Sequence, residues 1–394
     1  MKSSSTWVLV ALSATLVALP PFPRAQSSAS EQASAAPSSN IPEDWHVSAY
    51  LDLAYIVDFN FPDNHRWRSR TTSSRFNEFA PNMGFVNVHK DMTTDSRWGM
   101  ELGMQGGYDS KDFAFLPNEP DVGGADTLRH VQRANVSYLA PVGNGLVIQA
   151  GLFNSFLGYE SLYAKDNANY TRSWIADNTP YMMFGINARY TVNERLTVAG
   201  FIVNGYYHLS HPNDQPSYGA QVVYQPTAQL TVTETLYAGP DQSNTTLEFW
   251  RFYLNSIIER KTDDVLLALS YDIGTESIAN QPGAPRTFVM GGNIVGRWRI
   301  DNHWAVALRP EFYWDRNGRW TGHEQLVKAM TTTLEYAVPF GWTRTRMRAE
   351  YRWDESTGAG GGFFKGGDAA PGTPGLTASQ HLLLLALLWS FDSP

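Results

Sequence analysis

Between residues 45 and 59 every odd position is apolar: Trp45, Val47, Ala49, Leu51, Leu53, Tyr55, Val57 and Phe59. The even positions include His46, Ser48, Asp52 and Asp58. With 43% hydrophobic residues in the chain, an unbroken run of this kind would arise by chance in roughly one window in a thousand, so the period of two is a signal. A strand with that period has one greasy face and one wet face. The template returns at Trp98, Met100, Leu102 and Met104, at Tyr218, Ala220, Val222 and Tyr224, and at Trp304, Val306, Leu308, Pro310, Phe312 and Trp314. It returns again at Met347, Ala349, Tyr351 and Trp353. About sixteen such segments are predicted, each of roughly nine to fifteen residues, a length that crosses a bilayer as a tilted strand. Their spans are 45–59, 82–90, 96–107, 127–139, 144–153, 180–190, 195–206, 217–225, 228–238, 246–259, 264–273, 286–300, 303–314, 325–337, 343–354 and 379–391.

A soluble β-sandwich also alternates, so period two alone does not select a membrane. Two features do. The wet face is heavily charged: Arg344, Arg346, Arg348 and Arg352 share one parity against Met347, Ala349, Tyr351 and Trp353. The connections also alternate in length. Long gaps (60–81, 108–126, 154–179, 355–378) follow the first, third, fifth and fifteenth segments, and tight ones (91–95, 141–143, 191–194, 226–227, 260–263, 301–302, 339–342) follow even segments. Short turns on one side and long loops on the other are the asymmetry of an outer-membrane barrel. In hydrocarbon an unpaired backbone group is costly, so such a sheet must close. The expected fold is therefore all-β: a transmembrane antiparallel up-and-down β-barrel of about 16 strands (14 to 18 allowed), with short periplasmic turns, long extracellular loops and an aqueous lumen. Three residues run against the scheme: Glu234, Glu248 and Lys328 fall on the lipid-facing parity, which implies interfaces, a register-shifting bulge or misplaced strands. Segment 82–90 fits either parity.

Aromatics reinforce the boundary. Trp98, Tyr138, Tyr190, Tyr224, Trp298, Trp304, Tyr336 and Trp342 all lie beside tight turns, where a ring can sit at the headgroup level with its polar atom wet. The strand preference of aromatics accounts for any one of them but not for the clustering. The last segment places His381, Leu383, Leu385, Leu387, Trp389 and Phe391 on one parity. Its closing aromatic, Phe391, resembles the signal that outer-membrane barrels offer to the assembly machinery, although three residues follow it. The unbroken apolar run 382–389 is equally compatible with a buried strand or a short helix.

Composition narrows the function. Residues 7–19 form an apolar stretch of signal-peptide length after Lys2, stopped by prolines from Pro20. Residues 1–25 are read as a secretory signal, 26–44 as a flexible Ser/Ala/Pro-rich linker and 45–394 as the barrel. A net charge of −8 argues against nucleic-acid binding. The absence of cysteine removes disulfides, thiol catalysis and thiolate metal sites. Catalytic signatures are missing: there is no HExxH, no GxSxG and no Walker loop. His46 and Ser48, and His208 and Ser210, have the spacing of a barrel lipase, but the first pair faces the lumen and the second lies in a loop. No catalytic residue, metal site or cofactor is assigned.

A pore needs a constriction, and an inward-folded loop facing a charged wall provides one. Segment 154–179 carries Tyr159, Glu160, Lys165, Asp166, Tyr170, Arg172 and Trp174. The opposing wall candidates are Arg309, Glu311, Arg346, Arg348, Glu350 and Arg352. These charges are read either as a selectivity element or as a salt-bridge lattice that stiffens the wall. Inward arginines slightly outnumber inward acids on the assigned parities, which predicts weak anion preference or none.

The motifs around Gly151-Leu152-Phe153, Gly158-Tyr159-Glu160 and Tyr170-Thr171-Arg172-Ser173 resemble the OmpL-like β-barrel porins. So do Leu308-Arg309-Pro310-Glu311-Phe312-Tyr313-Trp314-Asp315 and Arg348-Ala349-Glu350-Tyr351-Arg352-Trp353-Asp354. The resemblance spans most of 45–391 and implies an outer-membrane porin for passive diffusion of small hydrophilic solutes or ions. The implied partners are outer-membrane lipid, the barrel assembly machinery and the solutes, with a homotrimer left open. The alternatives are a barrel whose long surface loops serve adhesion or binding, or a barrel lipase.

Overall fold

Alternation of apolar and polar residues closes the chain into a cylinder. The computed structural model describes residues 42–112, 125–210, 212–243, 245–279, 281–339 and 343–393; the expected signal and nearly all of the expected linker lie outside them. The barrel strands are β1 (Trp45–Asp58), β2 (Phe79–Lys90), β3 (Trp98–Gly106), β4 (Val131–Ala140), β5 (Leu146–Asn154), β6 (Met182–Asn193), β7 (Leu196–Val203), β8 (Ser217–Thr227) and β9 (Leu230–Gly239). They continue with β10 (Arg251–Lys261), β11 (Val265–Ser277), β12 (Arg286–Arg299), β13 (Trp304–Asp315), β14 (Gln325–Val338) and β15 (Arg344–Thr357). A hairpin of β16 (Phe363–Ala370) and β17 (Thr373–Thr377) stands in the loop before the last barrel strand, β18 (Ser379–Asp392). Neighbours in sequence are neighbours in space, and β18 pairs antiparallel with both β15 and β1, closing a sixteen-strand barrel.

Each predicted segment coincides with one barrel strand. The structure adds the β16–β17 hairpin within 355–378 and starts β10 at Arg251, so Glu248 belongs to a loop and not to the lipid face. Segment 82–90 was ambiguous for a physical reason. The β1–β2 register steps from Asp52 opposite Met83 to Leu53 opposite Pro81, a bulge that skips Asn82. Asn82 and Met83 are both buried, so parity reverses there, and Pro81 sits where a ladder irregularity tolerates it.

The greasy parity faces outward. Trp304, Leu308 and Phe312 are 40%, 50% and 38% exposed, whereas Arg348 and Arg352 are 2% and 0% exposed inside the barrel. This is the inverse of a sandwich, in which the apolar face would be hidden. Among the described residues no helix is long and apolar enough to cross a membrane; the crossing elements are strands.

The lumen is partly filled from within. The segment between β5 and β6, 155–181, folds inward as a strap that carries α2 (Trp174–Asp177); a first short helix, α1 (Tyr108–Asp112), follows β3. Phe156, Leu162, Tyr163, Tyr170, Trp174 and Tyr181 of the strap are buried in one cluster with wall residues Tyr50, Phe85, Phe153, Leu382 and Leu384. This explains the unbroken apolar run of β18. Leu383, Leu385 and Leu387 are exposed on the outer face while Leu382, Leu384 and Leu388 are buried inside, so both faces of that strand meet apolar surroundings.

The wall differs around its circumference. Strands β3, β5 and β7 have 9, 9 and 8 residues, whereas β12, β14, β15 and β18 have 14 each. At about 3.3 Å per residue and a tilt near 45°, eight residues rise about 19 Å and fourteen about 33 Å, against an apolar belt of about 25 Å.

Candidate functional site

A strap crossing a wide barrel has no neighbouring strand to pair with, so its backbone groups need partners from the wall. It leaves β5 beside Gly151, whose φ of +122° and close approach to the Ala134 carbonyl leave no room for a Cβ. It then reaches the far wall. There the Phe156 carbonyl accepts from Gln221 (2.9 Å) and Thr235 (3.0 Å), the Gly158 N–H donates to Asn255 (3.2 Å), and the Tyr159 hydroxyl donates to Glu259 (2.7 Å).

On the return, charged side chains of β13 and β15 take over. Arg348 donates to the carbonyls of Ala164 (2.8 Å), Asn167 (2.7 Å) and Asn169 (3.2 Å). Glu350 accepts from the consecutive N–H groups of Tyr170 (2.6 Å) and Thr171 (3.0 Å) and from the hydroxyls of Thr171 and Thr333 (both 2.6 Å). Arg309 donates to the Thr171 carbonyl (2.6 Å) and to Glu160 (2.5 Å), and the Trp174 N–H donates to Glu311 (2.5 Å). Arg352 donates to the Arg172 carbonyl (3.0 Å) and pairs with Glu311 (2.9 Å) and Asp354 (2.7 Å). Hydrogen bonds to ionised groups are the strong kind, and Glu350 alone accepts four of them.

The ten predicted constriction residues therefore divide. Glu160, Arg172, Arg309, Glu311, Arg348, Glu350 and Arg352 are buried where strap meets wall. Lys165, Asp166 and Arg346 border open space: Lys165 pairs with Asp166 at 2.8 Å, and Arg346 donates to the Lys165 carbonyl at 2.8 Å. Beneath the strap, toward the short turns, lies a polar cavity of about 380 Å³. Lys165, Lys261, Arg297, Arg346 and Arg348 line it together with Glu160, Asp166, Glu259, Asp263, Asp264 and Glu335. Its bases come chiefly from β12 and β15, and half of its acids come from β10 and the turn that follows. Charge there is nearly balanced.

Sequence reasoning missed a second clamp. Arg70, in the loop 59–78, pairs with Asp177 of α2 at 2.7 Å, both side chains being fully buried. Its guanidinium lies 4.6 Å from the Trp67 ring centroid and 5.0 Å from that of Trp174. Only the Trp-Arg-Ser-Arg content of an otherwise irregular loop hinted at it. Arg172 likewise reaches out of the strap to Asp109 of α1, at 3.2 Å. Burial pushes the Asp109 carboxyl up to about 7, against the pull of Arg172.

The aromatic band lies on the outer face at the short-turn end. Trp98, Tyr138, Tyr224, Trp298 and Trp304 are exposed and Tyr190 and Tyr336 half-buried. Trp98 is the register partner of Tyr138 and Trp304 of Tyr336; Trp342 lies outside the described residues. Two of the outlying charges do face outward. Glu234 accepts from the Ser256 hydroxyl of β10 at 2.6 Å, and Lys328 is the register partner of Glu355 near the long-loop end. Phe391 is the register partner of Ala49 on β1.

The family model described as "Putative beta-barrel porin-2, OmpL-like" matches residues 44–391. Among solved structures, the outer-membrane channel DcaP of Acinetobacter baumannii aligns with a TM-score of 0.54 at 9% identity, covering 88% of this chain and 96% of that one. The anion-selective porin from Comamonas acidovorans gives a TM-score of 0.54 at 11% identity, with 88% and 98% covered. In-vitro folded OmpT of Vibrio cholerae, in a trimer form, gives 0.53 at 11% identity, with 88% and 98% covered. At these identities the likeness is one of fold. No curated protein sequence matches the chain.

Proposed function

The chain belongs to the OmpL-like β-barrel porin family and is an outer-membrane diffusion channel, and on that premise we propose that its constriction is the polar cavity under the strap. The observation that carries this reading is the mixed charge of that cavity, Lys165, Arg297 and Arg346 against Asp166, Glu259 and Asp264, at the foot of a strap clamped to both walls. Such a surface suits small hydrophilic solutes and ions. Near-balance of charge supports weak ion preference or none.

Conductance of the refolded barrel in a planar bilayer tests the proposal. Discrete ohmic steps with a small reversal potential in a potassium chloride gradient are expected; absence of steps from folded protein would overturn it. The same reading leaves the barrel without a catalytic role. His46 and Ser48 sit on a lumen-facing parity, away from the lipid face a barrel lipase would use.

We further infer that three copies associate through the wall from β3 to β9. Five of its strands, β3, β4, β5, β7 and β9, have only eight to ten residues and are short for the apolar belt, and Glu234 stands on its outer face about midway along β9 with a hydroxyl as partner. A carboxylate facing acyl chains is costly, and a protein neighbour relieves it. The terminal-strand aromatic Phe391 is proposed as the element read by the barrel assembly machinery.

A further inference from the structure

We propose that His46, His89 and Asp91 form a binding site for a divalent transition-metal ion at the short-turn mouth of the lumen. His46 near the start of β1 and His89 near the end of β2 are register partners. Both lie on the inward parity that also carries Tyr50 and Phe85. Their rings stack with centroids 4.7 Å apart and planes inclined by 24°. Asp91, the first residue after β2, brings one carboxylate oxygen to 3.2 Å from His46 Nε2 and the other to 3.7 Å from His89 Nε2. One ligand atom from each of the three residues can be chosen with all of them within 4.8 Å of one another.

Cross-strand partners hold their Cβ atoms at a fixed short spacing, so small side-chain rotations bring both imidazoles onto one ion. Bonds of about 2.0–2.2 Å place tetrahedral ligand atoms about 3.3 Å apart, close to the two histidine–aspartate separations of 3.2 and 3.7 Å. Two imidazole nitrogens with one carboxylate oxygen favour zinc, copper or nickel over calcium or magnesium, which take oxygen sets. A fourth position stays open to water or an anion. Glu101 of β3, the register partner of His89, stands next along the same inner wall.

Access comes from the short-turn side. The His46 and His89 side chains are 25% and 36% exposed and that of Asp91 60%, so an ion enters without opening the barrel. A bound dication would add positive charge to the mouth through which solutes pass.

Titration of the folded barrel in detergent with zinc chloride, followed by calorimetry, tests the site without reference to permeation. Saturable binding of one ion per barrel is expected. His46→Ala and His89→Ala should each weaken it by about ten-fold or more, and His303→Ala, at a different short turn, should not. Heat-modifiable gel mobility verifies folding of each variant. No saturable binding, or equal binding by the double variant, overturns the proposal. If the double variant does not fold, the copper(II) complex of the native barrel decides: hyperfine coupling to two nitrogens supports the site, and coupling to fewer overturns it.

Discussion

The guanidinium of Arg309 lies 2.5 Å from the carboxylate of Glu160, tying wall strand β13 to the strap, and Arg309 is fully buried. Removing one member leaves an unmatched charge in a dry joint, which costs about 3–5 kcal/mol. Arg309→Ala should therefore destabilise the barrel strongly in urea unfolding from lipid vesicles. Arg309→Met/Glu160→Met, which removes both charges, should cost much less.

Glu350 takes two consecutive backbone N–H groups of the strap with its two carboxylate oxygens. An amide in its place turns an N–H toward one of those donors. Glu350→Gln should lose about 1.5–3 kcal/mol of strap docking. The expected signature is noisier single-channel current and faster protease cleavage within 155–181, with the outer barrel intact.

Arg346 borders the constriction cavity rather than the dry joint, and its side chain has 31% exposure. Arg346→Glu should shift the reversal potential toward cation preference while leaving heat-modifiable mobility unchanged. An unchanged potential would place the constriction elsewhere.

Asp109 titrates near 7 in the folded chain because burial disfavours its charged form, against about 4 when unfolded. The folded state then holds the extra proton between those values, so the stability contributed by this group is fully present below about pH 4 and declines as pH rises to about 7. Thermal unfolding of the native barrel and Asp109→Asn across that interval should show a fall with pH that is smaller in the variant.

The chain has no cysteine, so a single one reports its own neighbours. Ala220→Cys lies on the outer face of β8 and should cross-link copies in native membranes. Leu267→Cys, on the outer face of the taller β11, should not. The reverse pattern would move the subunit contact to the other side of the barrel.

The barrel was legible because each strand carries its two environments on alternate residues, as β13 does from Trp304 to Asp315. Parity failed where geometry broke it: the β1–β2 bulge at Asn82 flips the faces, and the β3–β4 bulge at Gln132 does the same, burying Gln132 and Arg133 side by side. The clamp residues were legible as inward charges. Whether each meets water or a strap was not, because that depends on partners distant in sequence, such as Thr171 for Arg309. The Arg70–Asp177 pair escaped altogether, since neither loop has a period to read. Glu234 and Lys328 were visible only as exceptions to the pattern, and both remain on the outer surface.

Strand β18 carries leucines on both faces and is also the seam that joins the two ends of the chain's circuit. Its inner leucines lose contact with water only once the strap is seated against them. Zipping the seam and docking the strap therefore stabilise one another. A nascent cylinder that closes before its interior segment arrives exposes a greasy strip to solvent, and that strip is a natural handle for quality control.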